Sequence, residues 1–139
     1  MATKVRAELS LKNKYHIDKH RHYELKHFCL QYPKWKRAYI DSLDSDTPMS
    51  MIDGGMMSEG VYDPTSSRAI TRAYYSERMQ MLEEVAKAAD IYLWRYILRA
   101  VTEGLSYTYL KTKLDMPCGR DMYYDRYRRF FWLLSETRD

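Results

Sequence analysis

The sequence predicts an all-α fold of about six helices, with a C-terminal helix-turn-helix and a long central loop. Apolar and aromatic residues recur at three- and four-residue spacing over most of the chain, without the alternation that is typical of strands. Glycine is scarce, with five residues in 139, and turn-forming residues gather in one central segment. The chain is long enough for about one ordinary domain with a core of its own.

Two helices are predicted ahead of the central loop. The first covers residues 14–30, because apolar residues recur at helical spacing in its second half. Tyr32-Pro33 should end this helix, since a residue that precedes proline avoids the helical region of backbone space. A short second helix is expected over residues 34–42.

The central loop is predicted over residues 44–66, where Gly54-Gly55 and Asp63-Pro64 mark turns. A loop of this length in a compact domain is either a linker or a functional segment. Its four methionines would let it pack adaptably on the rest of the chain. A long helix is expected from residue 68, capped by the hydroxyl residues Thr65, Ser66 and Ser67.

Three shorter helices are predicted to follow the long helix. Asp90 should cap the first of them, and Gly104 stands where a helix C-terminus favours glycine. Ser106 should cap the second, and Pro117 prevents that helix from continuing. The predicted bounds of these three helices are 91–102, 107–114 and 119–136.

Charge is distributed unevenly along the chain, although the net charge is only +4. Residues 1–37 carry ten Lys and Arg against three acids, residues 38–67 carry six acids and no Lys or Arg, and the remainder has thirteen against ten. Two basic parts separated by an acidic connector indicate a polyanionic partner contacted from two places. We therefore divide the chain into a basic N-terminal helical region, an acidic linker and a helical body at 1–43, 44–66 and 67–139.

Residues 90–136 have the layout of a helix-turn-helix, in which the last helix enters the major groove of DNA. Leu110 and Leu114 should face inward and Met116 should fill the turn. In the last helix, one face would pack on Trp94, Leu98 and Leu110. The residues of that predicted inner face are Tyr123, Tyr127, Phe130 and Leu134.

A second stripe of the last helix would face away from this core. It consists of Arg120, Tyr124 and Arg128, at positions i, i+4 and i+8, and it suits base edges and phosphates. Asp121 and Asp125 would repel phosphate unless each holds an arginine or accepts from a cytosine amino group. The further candidate DNA contacts are Arg126 and Arg129 beside the stripe, and Lys111 and Lys113 on the preceding helix.

The order of these motifs resembles the RinA type of phage transcriptional activators, from about residue 15 to residue 139. The resemblance rests on Tyr32-Pro33, Gly54-Gly55, the Asp63-Pro64-Thr65 and Ser76-Glu77-Arg78 stretches and the C-terminal helix-turn-helix, which is similar to region 4 of sigma-70 factors. It implies a DNA-binding protein in the bacterial cytoplasm that activates late structural and packaging genes. It assigns DNA reading to Arg120, Asp121, Tyr124 and Arg128, with Arg129 on the backbone. Two departures from the family are the tyrosine-rich second helix and Pro117-Cys118-Gly119 in place of a serine-type cap.

Other classes of function receive less support from the sequence. No apolar run approaches the roughly 20 residues of a membrane span, and we expect no secretory signal. His16 and His20 stand at i, i+4, but no further ligands complete a zinc site, so neither metal nor cofactor is expected. Cys29 and Cys118 are expected to be free thiols. No phosphate loop or catalytic constellation indicates an enzyme.

Two alternatives to an activator stay open: a small terminase-like protein that recognises a packaging site, and an adaptor that binds host machinery. The partner of an activator would be double-stranded DNA, and the RNA polymerase of the host is a further candidate. A homodimer is plausible, because one helix-turn-helix reads only a few base pairs. Candidate dimer surfaces are the N-terminal helix, with Tyr15, Leu25 and Phe28, and the long helix around Tyr74, Tyr75, Met79 and Met81.

Overall fold

The computed structural model describes residues 14–43 and 64–138, and within these ranges all regular structure is α-helical. The all-α prediction is therefore confirmed for the described residues, while the central part of the predicted loop lies outside them. The helices are α1 (Lys19–Leu30), α2 (Tyr32–Leu43), α3 (Pro64–Ala89), α4 (Trp94–Glu103), α5 (Tyr107–Lys113) and α6 (Arg120–Arg138).

The described residues belong to two compact units. Unit 1 combines residues 14–31 with residues 82–138, so the N-terminal helix α1 folds with the C-terminal helices. Within it, α1 packs on α4 and α6, and α4 also packs on α5. Its core is built from side chains that are almost fully buried: Leu25, Cys29, Leu82, Ile97, Leu110, Tyr123, Phe130 and Leu134.

Unit 2 consists of the described residues between 32 and 81 and contains α2 and most of α3. Trp35 is buried, and the guanidinium of Arg72 donates to the carbonyl oxygen of Ser42 at 3.0 Å. This bond satisfies a carbonyl at the C-terminal end of α2, where the helix itself supplies no partner. Arg72 therefore ties the end of α2 to α3.

The start of α1 differs from the predicted bound for a local reason, whereas its end at Leu30 agrees with the prediction. The helix begins at Lys19, because the Asp18 carboxylate accepts from the backbone N–H groups of His20 and Arg21. It ends at Leu30, and α2 follows from Tyr32 with Pro33 in its first turn, where the missing N–H costs nothing. α1 thus ends before Tyr32-Pro33 as predicted, but Tyr32 itself is helical, so α2 starts two residues earlier than expected.

The start of α3 was predicted wrongly. The helix begins at Pro64, whose fixed φ suits a first helical position, and not at residue 68. Thr65, Ser66 and Ser67 consequently lie inside the first turn instead of capping it. The helix ends at Ala89, directly before Asp90, the residue predicted to cap the next helix.

The connection from α3 to α4 is shaped by Asp90. Its Oδ1 atom accepts from the N–H groups of Tyr92 and Leu93 at 2.8 and 2.9 Å. Asp90 thus has the predicted capping role, but it caps a three-residue turn, so α4 starts at Trp94 and not at residue 91. The other end of α4 agrees with the prediction, because Gly104 has φ = 72° and its N–H donates to Ala100 O at 2.9 Å.

One of the two predicted dimer surfaces is used inside the chain. Leu25 and Phe28 are buried in the core of unit 1, and the ring of Tyr15 lies 5.8 Å from that of Trp132. The N-terminal helix therefore does not offer these side chains to a second copy. On α3, in contrast, Tyr74 is 48% exposed.

Candidate nucleic-acid interface

Helices α4, α5 and α6 form the part of unit 1 that was predicted as a helix-turn-helix. Ser106 Oγ accepts from Tyr109 N at 3.1 Å and so caps α5, as predicted. Leu110 is fully buried, and Met116 is 1% exposed in the turn that precedes α6. Met116 N also donates to Leu110 O at 3.1 Å. The predicted inward positions of Leu110 and Met116 are confirmed, whereas Leu114, also predicted to face inward, is half-buried.

Lys111 does not point its amine outward as predicted. Its Nζ atom donates to Met116 O at 3.1 Å and to Cys118 O at 3.0 Å. Both carbonyls belong to the turn between α5 and α6, where Met116 O also accepts from Cys118 N at 3.0 Å. Lys111 therefore fastens the turn that sets the start of α6, although its side chain, like that of Lys113 two residues later, is exposed.

We expect Lys111→Met to lower the free energy of unfolding by about 1–3 kcal/mol, because it leaves two carbonyls of the turn without their charged donor. Methionine keeps most of the apolar stem, so the loss reports on the amine. The matched control, Lys113→Met, should change stability by less than about 0.5 kcal/mol. Urea denaturation of both variants measures the difference, and equal stability of the two would contradict the role given to Lys111.

The inner face of α6 agrees with the prediction at three of four positions. Tyr123, Phe130 and Leu134 are buried, but the fourth fully buried residue is Phe131, while Tyr127 is half-buried. The cause is α1, whose His22 ring meets the ring of Phe131 edge-on at 4.8 Å. Because α1 covers a second side of α6, the buried face is broader than the predicted stripe.

Arg126 forms ion pairs within unit 1. Its Nε atom lies 2.9 Å from Asp90 Oδ2, and its Nη1 atom is bonded to Asp125. Burial by itself would raise the pKa of Asp90, but hydrogen bonds from Leu93 N–H, Arg126 and Tyr92 N–H, together with the charge of Arg126, hold it below its usual value. In this position Arg126 joins α6 to the start of α4 instead of facing solvent beside the predicted stripe.

The predicted outward stripe of α6 is exposed mainly at its beginning. Arg120 is exposed, whereas Tyr124 and Arg128 are half-buried, as is Arg129, and the Nε atom of Arg128 is buried. Asp121 is exposed and stands in the first turn, where a negative charge is favourable. The outward surface of α6 is thus shorter than predicted.

Arg120 is held by aromatic rings. Its guanidinium carbon lies 5.3 Å from the centre of the Tyr107 ring and 5.8 Å from that of Tyr124. The ring of Tyr107 also lies 5.6 Å from that of Tyr123, so α5 and α6 meet through tyrosines. Sequence reasoning named Tyr107 only as a departure from the family. The available signal was an aromatic residue, Tyr107, at the first position of the helix that precedes α6.

We call the outward surface of the first turn of α6 and of α5 the α5–α6 face. Besides Arg120 and Asp121, it contains Met122 and Tyr109, which are 46% and 41% exposed and were not predicted as site residues. Lys113 adds a positive charge on α5. The face combines donors, an acceptor and apolar surface, which are the groups that base edges and phosphates engage. Its members are Arg120, Asp121, Met122, Tyr109, Thr112 and Lys113.

The remaining features considered from the sequence are possible metal ligands, the two thiols and membrane-spanning helices. Within residues 14–43 and 64–138, no three His, Cys, Asp or Glu side chains cluster as metal ligands. Cys29 and Cys118 are unbridged and buried, and burial raises the pKa of both thiols. In the same part of the chain, no helix is long and apolar enough to cross a membrane.

Comparison with known proteins returned no family model, no curated protein and no solved structure that matches the chain. The likeness to RinA-type activators therefore rests on the quoted motifs and remains a prediction.

Proposed function

We propose that this protein is a bacteriophage transcriptional regulator of the RinA type that binds double-stranded DNA in the cytoplasm of its bacterial host. It acts without enzymatic activity, as an activator of late structural and packaging genes. The observation that carries the proposal is Arg120, which is exposed at the start of α6 and whose guanidinium lies beside the rings of Tyr107 and Tyr124.

The geometry of α6 supports insertion into the major groove, which admits one α-helix. One side of the helix is anchored by Tyr123, Phe130 and Leu134, and its first turn is exposed. In known helix-turn-helix proteins the N-terminal residues of the last helix contact base edges. Arg120 is therefore in the position of a residue that reads bases.

Preorganisation favours Arg120 over the other arginines of α6. A guanidinium held by two rings loses less side-chain freedom on binding, and an arginine fork matches the O6 and N7 atoms of guanine. Asp121 would accept from a cytosine amino group, and Lys113 and the Tyr124 hydroxyl would contact phosphate. Arg128 and Arg129, both half-buried, would contact the DNA backbone through their exposed parts.

Selection of bound duplexes from a random DNA pool tests the proposal, and a defined motif is the expected result. Arg120→Ala should then weaken binding to that motif by about 1–3 kcal/mol and relax the preference at one position. The matched control is Arg78→Ala, which removes another arginine stacked on a tyrosine, 3.5 Å from the Tyr74 ring on α3. The control should bind DNA as the unchanged protein does.

The salt dependence and the mass of the protein distinguish the alternatives. Affinity for the selected duplex should fall at least several-fold between low and physiological salt, because phosphate contacts release counterions. Absence of duplex binding would favour an adaptor that binds host machinery, such as RNA polymerase. A ring of many subunits in solution would favour a terminase-like protein, whereas a dimer would fit a regulator of two half-sites.

A further inference from the structure

A groove of about 680 Å³ lies in unit 1 between the turn that precedes α4, the outward side of α4 and the end of α5. Its walls are formed by aromatic side chains, two arginines and the aliphatic side chains of Ile91 and Leu114. The volume is in the range of ordinary binding sites, and the groove shares no residue with the α5–α6 face.

The turn at the edge of the groove exposes apolar side chains in a fixed position. Ile91 is 61% exposed and Tyr92 is 88% exposed, the latter being unusual for a large ring. Their backbone is held by Asp90 Oδ1, which accepts from two N–H groups of the turn, and by Leu93, which is buried at 2% exposure. A rigid turn that presents Ile91 and Tyr92 to solvent provides preformed anchor positions for a partner.

The charged residues that line the groove are both arginines. Arg95 lies with its guanidinium carbon 5.3 Å from the Trp94 ring, and Lys87 places its amine 4.7 Å from the same ring. Arg99 is paired with Glu103 at 2.9 Å but still lines the groove. This distribution of charge is complementary to a partner that carries carboxylates.

A protein fits this groove better than a nucleic acid. The cations of Lys87 and Arg95 lie 4.7 and 5.3 Å from the centre of the Trp94 ring and would compete with bases for stacking on it. Ile91 and Leu114 suit the aliphatic side chains of a protein, which a phosphate backbone does not supply. Tyrosine, tryptophan and arginine are also the residues that contribute most to binding at protein interfaces.

We propose that this groove docks an acidic amphipathic segment of a partner protein. Aliphatic side chains of the segment pack on Ile91, Tyr92 and Leu114, and its carboxylates pair with Arg95 and Arg99. The proposal does not depend on DNA binding by the α5–α6 face, since the two surfaces use different residues.

Selection of a displayed library of random 16-residue peptides on the full-length chain tests this assignment. The expected result is enrichment of peptides in which Leu, Ile or Phe recur at helical spacing among Asp and Glu. Tyr92→Ala and Arg95→Glu should each weaken binding of the enriched peptides by about tenfold or more. Arg78→Glu, at another arginine stacked on an aromatic ring, should leave peptide binding unchanged.

Unchanged thermal unfolding of Tyr92→Ala and Arg95→Glu shows that these variants remain folded, as expected for replacements at exposed positions. No enrichment, or enriched peptides that tolerate both Tyr92→Ala and Arg95→Glu, would overturn the proposal. If Arg95→Glu weakens binding of duplex DNA but leaves peptide binding unchanged, the groove binds nucleic acid instead. Loss of DNA binding in Arg120→Ala bears only on the α5–α6 face.

Discussion

Asp90→Ala should lower the free energy of unfolding by about 2–4 kcal/mol. The side chain of Asp90 is 8% exposed, and each of its oxygens has a separate role. Oδ1 caps the turn before α4 through two N–H groups, and Oδ2 pairs with Arg126 Nε at 2.9 Å. A lost cap costs about 1 kcal/mol and a lost hydrogen bond to a charged group about 1.5–3 kcal/mol. Urea denaturation of the variant and the unchanged protein measures the loss.

The Asp90 carboxylate should also make the free energy of unfolding depend on pH. The pKa of Asp90 in the folded protein lies below its ordinary value of 3.8, so the folded state favours the ionised form. The stabilisation that ionised Asp90 provides is therefore fully present when the pH is above its ordinary pKa. It is lost as the pH falls through the lowered pKa of the folded protein. Between pH 6 and pH 2, the melting temperature should decline less for Asp90→Ala than for the unchanged protein.

Asp90→Asn is the control that separates the cap from the charge. Asparagine keeps an oxygen for the N–H groups of Tyr92 and Leu93 but does not pair with Arg126 as an ion. We expect a smaller loss of stability than with alanine and a similarly reduced dependence on acid. If Asp90→Ala matched the unchanged protein in stability, the Asp90–Arg126 pair would have no net stabilising effect.

The features that the sequence predicted well act within a few residues of the chain. Gly104 ends α4 because a left-handed residue is needed directly after that helix, and Ser106 caps α5 through the N–H three residues later. Leu110 and Met116 are buried as their spacing predicted. Such signals depend on local geometry, so a single sequence contains them.

The features that it predicted poorly depend on distant parts of the chain. The sequence places Arg126 beside the outward stripe of α6 and does not show that Asp90, 36 residues earlier, pairs with it. Lys111 was placed against phosphate because nothing in its own helix indicates that the next turn has two carbonyls to satisfy. Contacts of this kind are decided by how helices pack, and one sequence without the packed helices does not determine them.

Phe131→Ala should lower the free energy of unfolding by about 3–5 kcal/mol, the largest loss that we expect from any single replacement considered. Phe131 is 2% exposed, and its ring lies 4.8 Å from His22 on α1 and 5.1 Å from Phe130. Alanine would leave a cavity between α1 and α6, whereas Phe131→Leu should cost about 1.5 kcal/mol or less. The helical stripe in the sequence places Tyr127 in the core and Phe131 outside it, and therefore implies a greater loss for Tyr127→Ala than for Phe131→Ala. Urea denaturation followed by tryptophan fluorescence decides between the two orders, and a greater loss for Tyr127→Ala would contradict the packing of α1 on this side of α6.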